Sequence, residues 1–157
     1  VQTVLAELIT KPDFPENDIW HRERFAAKDV IIHEGRTDQR IYLVEQGELS
    51  VTSTIDLTES RKVRPGIHTL GSGQIFGEFC LYNDLPRTAT VTATQDGQLV
   101  VFDARKLQQY MDTHPETGYL VVKDIYSTLV ERLHKTNKRV EHLLAWGLKA
   151  HQIDEHL

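Results

Sequence analysis

Cysteine is almost absent from this chain: Cys80 is the single one in 157 residues. That excludes an internal disulfide framework and any thiolate-rich zinc site. One free thiol suits a reducing compartment, so a cytoplasmic location is expected. Long apolar runs are also missing. None approaches the roughly 18 residues of a membrane span, and no stretch reads as a signal peptide. Nor is there a surplus of positive charge: 18 Lys and Arg stand against 23 Asp and Glu, for a formal net charge of −5. A field of that sign gives no support to non-specific nucleic-acid binding. The glycine-spaced stretch Gly71-Ser72-Gly73-Gln74-Ile75-Phe76-Gly77 has the wrong spacing for a dinucleotide fingerprint and opens no long helix. The chain begins at Val1 rather than Met, as a piece cut from a longer protein would.

What is present is enough apolar residue, 39%, to build one core of ordinary size. Val1 to Ile9 carries apolar residues at helical spacing, broken by Lys11-Pro12-Asp13-Phe14-Pro15. From about Phe25 to Phe102 the text consists of short runs rich in Val, Ile, Thr and Tyr, separated by Gly, Asp and Asn. Asp29–His33 is one such run. Arg40–Val44 and Glu48–Thr52 flank Gly47 and read as a hairpin whose glycine supplies a positive φ. Asp56 to Gly66 reads as a loop or a long hairpin tip, and Ile67–Leu70 follows it. Thr88 to Thr94 alternates with Ala89, Val91 and Ala93 on one face, and Leu99–Phe102 follows Asp96-Gly97. Short strands at this spacing predict a sandwich, jelly roll or barrel.

After Phe102 the period becomes helical. Asp103 is a fair N-cap for a helix over 104–111, and Thr113-His114-Pro115-Glu116 has the form of a capping box. The helix that follows is expected to run from about Pro115 to at least Trp146. Tyr126, Leu129, Leu133, Thr136, Val140 and Leu143 recur at spacings of three and four, which predicts a self-associating seam beyond Leu133. Val130, Leu144 and Trp146 widen that face.

The chemistry is concentrated in Phe76-Gly77-Glu78-Phe79-Cys80-Leu81 and Leu85-Pro86-Arg87-Thr88-Ala89. Glu78 and Arg87 stand nine residues apart at the ends of a short turn-like segment. A guanidinium forks onto phosphate oxygens, and a carboxylate accepts hydrogen bonds from sugar hydroxyls. A ligand carrying both groups is a nucleotide. The bland reading is a surface Glu–Arg salt bridge on a tight turn.

The same residues resemble the phosphate-binding cassette of cyclic nucleotide-binding domains, as in bacterial cAMP receptor proteins, protein kinase A regulatory subunits and cyclic-nucleotide-gated channels. The cassette form is Phe-Gly-Glu, two or three apolar residues, a short loop, Arg, a small residue and Ala. It stands here from Phe76 to Ala89, and the likeness extends over roughly residues 20 to 145. The resemblance implies a mainly β fold, a jelly-roll barrel or sandwich (double-stranded β-helix). A short N-terminal helix, a short cassette helix and a long C-terminal helix would accompany it. It divides the chain into an N-terminal segment, 1–18, a cyclic nucleotide-binding β-roll, 19–112, and a long helix and tail, 113–157. It implies that Gly77, Glu78, Phe79, Cys80, Arg87, Thr88 and Ala89 hold the ribose and phosphate, with Glu78 on the 2′-hydroxyl. Free N–H groups of the short helix would also point at the phosphate.

Arg132-Leu133-His134-Lys135-Thr136-Asn137-Lys138-Arg139-Val140 is similar to a stretch of the cAMP receptors whose two polar residues lie over the purine. Thr136 and Asn137 match those positions, with Asn in place of Ser; the bland reading is a polar break that fixes register in a dimer seam. Thr88 resembles the cGMP-responsive members, but bacterial cAMP receptors carry a serine there, so cAMP is expected ahead of cGMP. The implied protein is a regulatory sensor with no cofactor and no catalytic residues. It would be a homodimer through its long helix, acting on an effector domain or partner outside this chain. Receptors of this family that read DNA carry a helix-turn-helix after the long helix, and Leu148 to Leu157 is too short for one.

Two alternatives differ in kind. A cupin-type metalloenzyme shares the jelly roll but needs a His-x-His pair, a nearby Glu and a further His. His33 beside Glu34, His68, and His21, His114, His134, His142, His151 and His156 do not supply that spacing. The other is a degenerate, ligand-free jelly roll kept for dimerisation, against which the intact Glu78 and Arg87 argue.

Overall fold

The computed structural model describes residues 3–58, 61–63 and 66–151. Val1 and Gln2 of the expected first helix lie outside that range, as do Glu59, Ser60, Arg64 and Pro65 of the expected loop and the tail from Gln152, His156 included. The chain divides into two compact units, Val1–Val121 and Val122–Leu157.

In the first unit α1 (Val4–Leu8) is capped by Thr3, whose hydroxyl accepts from the Ala6 amide, and it buries Leu5 and Leu8. The β-rich text then forms β1 (Trp20–Phe25), β2 (Val30–Ile32), β3 (Arg40–Gln46), β4 (Leu49–Thr52), β5 (Ile55–Thr58), β6 (Arg61–Val63), β7 (Gly66–Leu70), β8 (Ile75–Phe76), β9 (Thr90–Ala93) and β10 (Gly97–Asp103). They make two antiparallel four-stranded sheets, ordered β1-β10-β3-β8 and β2-β9-β4-β7, with β5 and β6 as a separate two-stranded hairpin. This is a mainly β sandwich of the jelly-roll kind. The segment from Asp56 is therefore a hairpin in its described part.

β1 went unpredicted because Trp20 and Phe25 bracket four exposed residues, which hides the strand period. The hairpin expected across Gly47 is also corrected. β3 pairs with β10 and β8, whereas β4 pairs with β7 and β9, so the Gly47 turn carries the chain from one sheet to the other. Both strands are apolar on their inward faces and are satisfied by lying opposite each other across the core rather than side by side. Gly47 has φ +96°, and a Cβ there would stand 2.8 Å from the Asp96 carbonyl, so the crossing has no room for a side chain.

Phe25, Tyr42, Val44, Phe76, Leu99 and Val101 from the first sheet meet Ile32, Leu49, Val51, Leu70, Val91 and Ala93 from the second, all buried. Each large apolar side chain taken fully out of water contributes about 1.5–3 kcal/mol. β3 and β10 are buried at consecutive positions, Ile41 to Val44 and Leu99 to Phe102, so both faces of these central strands are covered. α2 (Ala104–Thr113) packs on β10 and buries Ala104, Leu107 and Met111. Its N-cap is Asp103, accepting from the Lys106 amide at 3.0 Å.

The capping box expected at Thr113 does not form. α2 continues through Thr113, whose hydroxyl donates back to the Gln109 and Tyr110 carbonyls, and His114 is the break before α3 (Pro115–Ala150). A hydroxyl inside a last helical turn finds the i−3 and i−4 carbonyls before it finds the next helix.

The 36 residues of α3 correspond to about 54 Å of helix. In the second unit Tyr126, Val130, Leu133, Val140, Leu143, Leu144 and Trp146 are exposed. Among the described residues no helix is long and apolar enough to cross a membrane.

Candidate functional site

Ile75 and Phe76 end the first sheet at β8, and Gly77 then turns the chain with φ +76°. Glu78–Leu81 follows as a single 3-10 turn, the short cassette helix that was expected. Four residues carry little macrodipole, so the electrostatics of the site rest on side chains. Glu78, Cys80 and Leu81 are buried while Phe79 is exposed.

A Cβ on Gly77 would meet Arg87 Nη1 at 2.9 Å, the Arg40 carbonyl at 3.1 Å and Tyr42 Cδ2 at 3.2 Å. The closeness that requires glycine is thus with the protein's own groups, and the left-handed backbone reinforces the requirement.

Arg87 is only 7% exposed, as is Glu78, which is unusual for charged side chains. Its backbone pairs with the β2–β3 loop: the amide donates to the Arg36 carbonyl and the carbonyl accepts from the Gly35 amide, both at 2.8 Å. Its guanidinium is already engaged. Nη1 donates to the Gly77 carbonyl at 2.8 Å, and Nη2 donates to the Asp38 carboxylate and to the Arg40 carbonyl. Burial alone would favour the neutral form, but the hydrogen bond and charge of Asp38 outweigh it and hold the pKa above its ordinary value. The cation is therefore permanent, and two of its edges are fixed by the scaffold.

Cys80 donates its thiol to the Gly77 and Arg40 carbonyls at 3.2 and 3.4 Å. Burial pushes that thiol up, so it packs rather than reacts. Thr88 is exposed and Ala89 half-buried, with Ala89 packed against the core.

The fold therefore gathers Gly77, Glu78, Phe79, Cys80, Arg87, Thr88 and Ala89 on one stretch of the first unit. Thr136 and Asn137 lie on α3 in the second unit, both exposed, and the Thr136 hydroxyl donates to the Arg132 carbonyl at 2.9 Å. Asp38, the Arg40 carbonyl and Tyr42 were missed. Asp38 precedes Arg87 by 49 residues and sits in a polar loop, so its one trace in the text is the Glu34-Gly35 turn that opens that loop. Among the described residues no group of three or more His, Cys, Asp or Glu could hold a metal ion.

Comparison with known proteins places this geometry in context. Residues 22–114 match the model of the family described as the cyclic nucleotide-binding domain. The cAMP-dependent protein kinase regulatory subunit of Hypocrea atroviridis is 34% identical over 95 residues, covering 60% of this chain and 19% of that protein. The cAMP-activated global transcriptional regulator CRP of Haemophilus influenzae is 27% identical over 124 residues, covering 78% of this chain and 52% of that protein. The chain thus spans from about a fifth to about half of these relatives. A cyclic nucleotide-binding domain from Methylobacillus flagellatus superposes with a TM-score of 0.69 at 21% identity, covering 78% of this chain and 66% of that one. The catabolite activator protein of Thermus thermophilus gives 0.65 at 22%, covering 79% and 55%. At such identities the superpositions speak for the fold alone.

Proposed function

Since the chain belongs to the cyclic nucleotide-binding domain family, we propose that it is a regulatory sensor of a cyclic mononucleotide, cAMP ahead of cGMP. The observation that carries the reading is the burial of both Glu78 and Arg87 within the segment Phe76–Ala89 of that matched region. In this reading Arg87 neutralises the ring phosphate and Glu78 accepts from the ribose 2′-hydroxyl. Gly77, Phe79, Cys80, Thr88 and Ala89 supply backbone approach and backbone amides.

Thr136 and Asn137 contact the purine, a role that rests on the Arg132–Val140 sequence alone. Residues 1–18, 19–112 and 113–157 serve as N-terminal segment, binding roll, and helix with tail. The output runs through α3, and only contacts that differ between the free and bound states can drive it. The partner of the exposed α3 face is a second copy of this chain, which makes a homodimer; the effector is a domain or protein outside this chain. The sensor works in the cytoplasm, with no catalytic step, bound metal or DNA contact of its own.

Calorimetry with cAMP and cGMP on ligand-free protein tests the central claim. Wild type is expected to bind, and Arg87→Leu is expected to weaken binding by about 1.5–3 kcal/mol or more. No heat with either nucleotide would favour the ligand-free dimerisation module instead.

A further inference from the structure

Two buried polar atoms of the first unit have no hydrogen-bond partner among the described residues: the Tyr42 hydroxyl and Arg87 Nε. Tyr42 is 1% exposed and leaves β3 on the inner face of its sheet. The two side chains share one neighbourhood, because the point where a Cβ on Gly77 would lie is 2.9 Å from Arg87 Nη1 and 3.2 Å from Tyr42 Cδ2. The ring is held in place, stacked on Phe76 at 4.8 Å between centroids, with the Arg40 guanidinium 5.9 Å above it. Arg87 is held equally firmly by Gly77, Asp38 and Arg40.

A buried hydroxyl with no partner carries an unrecovered desolvation cost, and phenylalanine would fill the same space without it. The protein satisfies neither orphan, and both belong to side chains that border Gly77, so a group entering there is an acceptor within the neighbourhood of each. The phenol's pKa is pushed up to about 12, chiefly by burial and against the pull of Arg40 and Arg87, so at neutral pH it is a proton donor. Two fixed donors, one on a permanent cation, call for an anionic oxygen acceptor.

We propose that Tyr42 is a further ligand-binding residue, its hydroxyl donating together with Arg87 Nε–H to the anionic phosphodiester oxygens of the bound nucleotide. Arg87 thereby binds ligand through the edge that its scaffold leaves open, while Nη1 and Nη2 stay with the protein. The proposal rests on the cyclic-nucleotide reading and adds a third polar side chain to Glu78 and Arg87.

Tyr42→Phe removes only the oxygen, and its effects on the empty and the filled protein are expected to have opposite signs. The melting temperature of the ligand-free protein should rise by about 2–4 °C as the orphan disappears. The Kd for cAMP, measured by calorimetry, should rise about tenfold or more, so that cAMP raises the melting temperature less than in wild type. A Tyr42→Phe protein with wild-type Kd, or one that melts lower when empty, overturns the proposal. Inorganic phosphate is the second probe. If wild type binds phosphate but no cyclic nucleotide, and Tyr42→Phe loses the phosphate, the nucleotide reading falls and the oxyanion site stands. Binding of neither probe by wild type overturns both.

Discussion

Removing Arg87 should damage the empty protein as well as its ligand affinity, and the structure says by how much. Arg87→Leu keeps the volume and apolar stem but withdraws the cation from the Asp38 carboxylate and the donors from the Gly77 and Arg40 carbonyls. Breaking a fully buried ion pair by deleting one partner costs about 3–5 kcal/mol. The Asp38 side chain is 25% exposed against 6% for Arg87, and it keeps the Arg40 amide at 3.2 Å and the Arg40 guanidinium at 3.9 Å, so water and Arg40 recover part of that loss and roughly 2–3 kcal/mol remains. With a urea slope of about 2 kcal/mol/M, the unfolding midpoint should fall by about 1–1.5 M.

The cause is separable from generic core damage by a double-mutant cycle. If the stranded carboxylate is what hurts, Asp38→Ala in the Arg87→Leu background should restore stability, with a coupling of about 2 kcal/mol. Urea denaturation of the four ligand-free proteins, followed by tyrosine and tryptophan fluorescence, supplies the numbers. Costs that simply add, with coupling under about 0.5 kcal/mol, would refute the idea that Asp38 is the counter-ion of the empty site.

Gly77→Ala should lower stability by about 1–2 kcal/mol for the left-handed backbone alone. It should also weaken cAMP binding several-fold by displacing Arg87 Nη1, which lies 2.9 Å from the new methyl; unchanged affinity would show that Arg87 tolerates the shift. Glu45 predicts a pH effect. Burial pushes its carboxyl up, but hydrogen bonds from Arg22 and Gln98 and the Arg22 charge together hold it below the ordinary 4.5. The folded state therefore binds that proton less readily than the unfolded chain. The stabilisation is complete above about pH 4.5 and is lost as pH falls through the lowered folded value. Glu45→Gln should flatten the acid limb of stability against pH, and an unchanged limb would exonerate the residue. For the exposed α3 face, Leu133→Asp with Val140→Asp should convert a micromolar dimer to monomer in analytical ultracentrifugation, while a wild type that is monomeric with and without ligand would remove the dimer reading.

Local rules made much of this protein legible. Asp103 reads as an N-cap because a carboxylate before an apolar helical period has one obvious donor to satisfy, and it accepts from Lys106 as that rule requires. The β-rich text, the long helix from Pro115 and the Gly77-Glu78…Arg87 spacing are likewise properties of neighbouring residues. Thr113 failed for a local reason too: two helices competed for one hydroxyl, and the preceding one held it.

Periodicity and residue chemistry are written along the chain, so the class of fold was legible there and Glu78 and Arg87 could be singled out as candidates. Tertiary structure alone decided that β3 and β4 lie in opposite sheets, because both are apolar and either pairing satisfies the pattern. It alone decided that Arg87 is held by Asp38, 49 residues away, and that the ring of Tyr42 and the Arg87 guanidinium both border Gly77. Those contacts depend on how strands far apart in sequence stack across a core, and no local spacing encodes that distance.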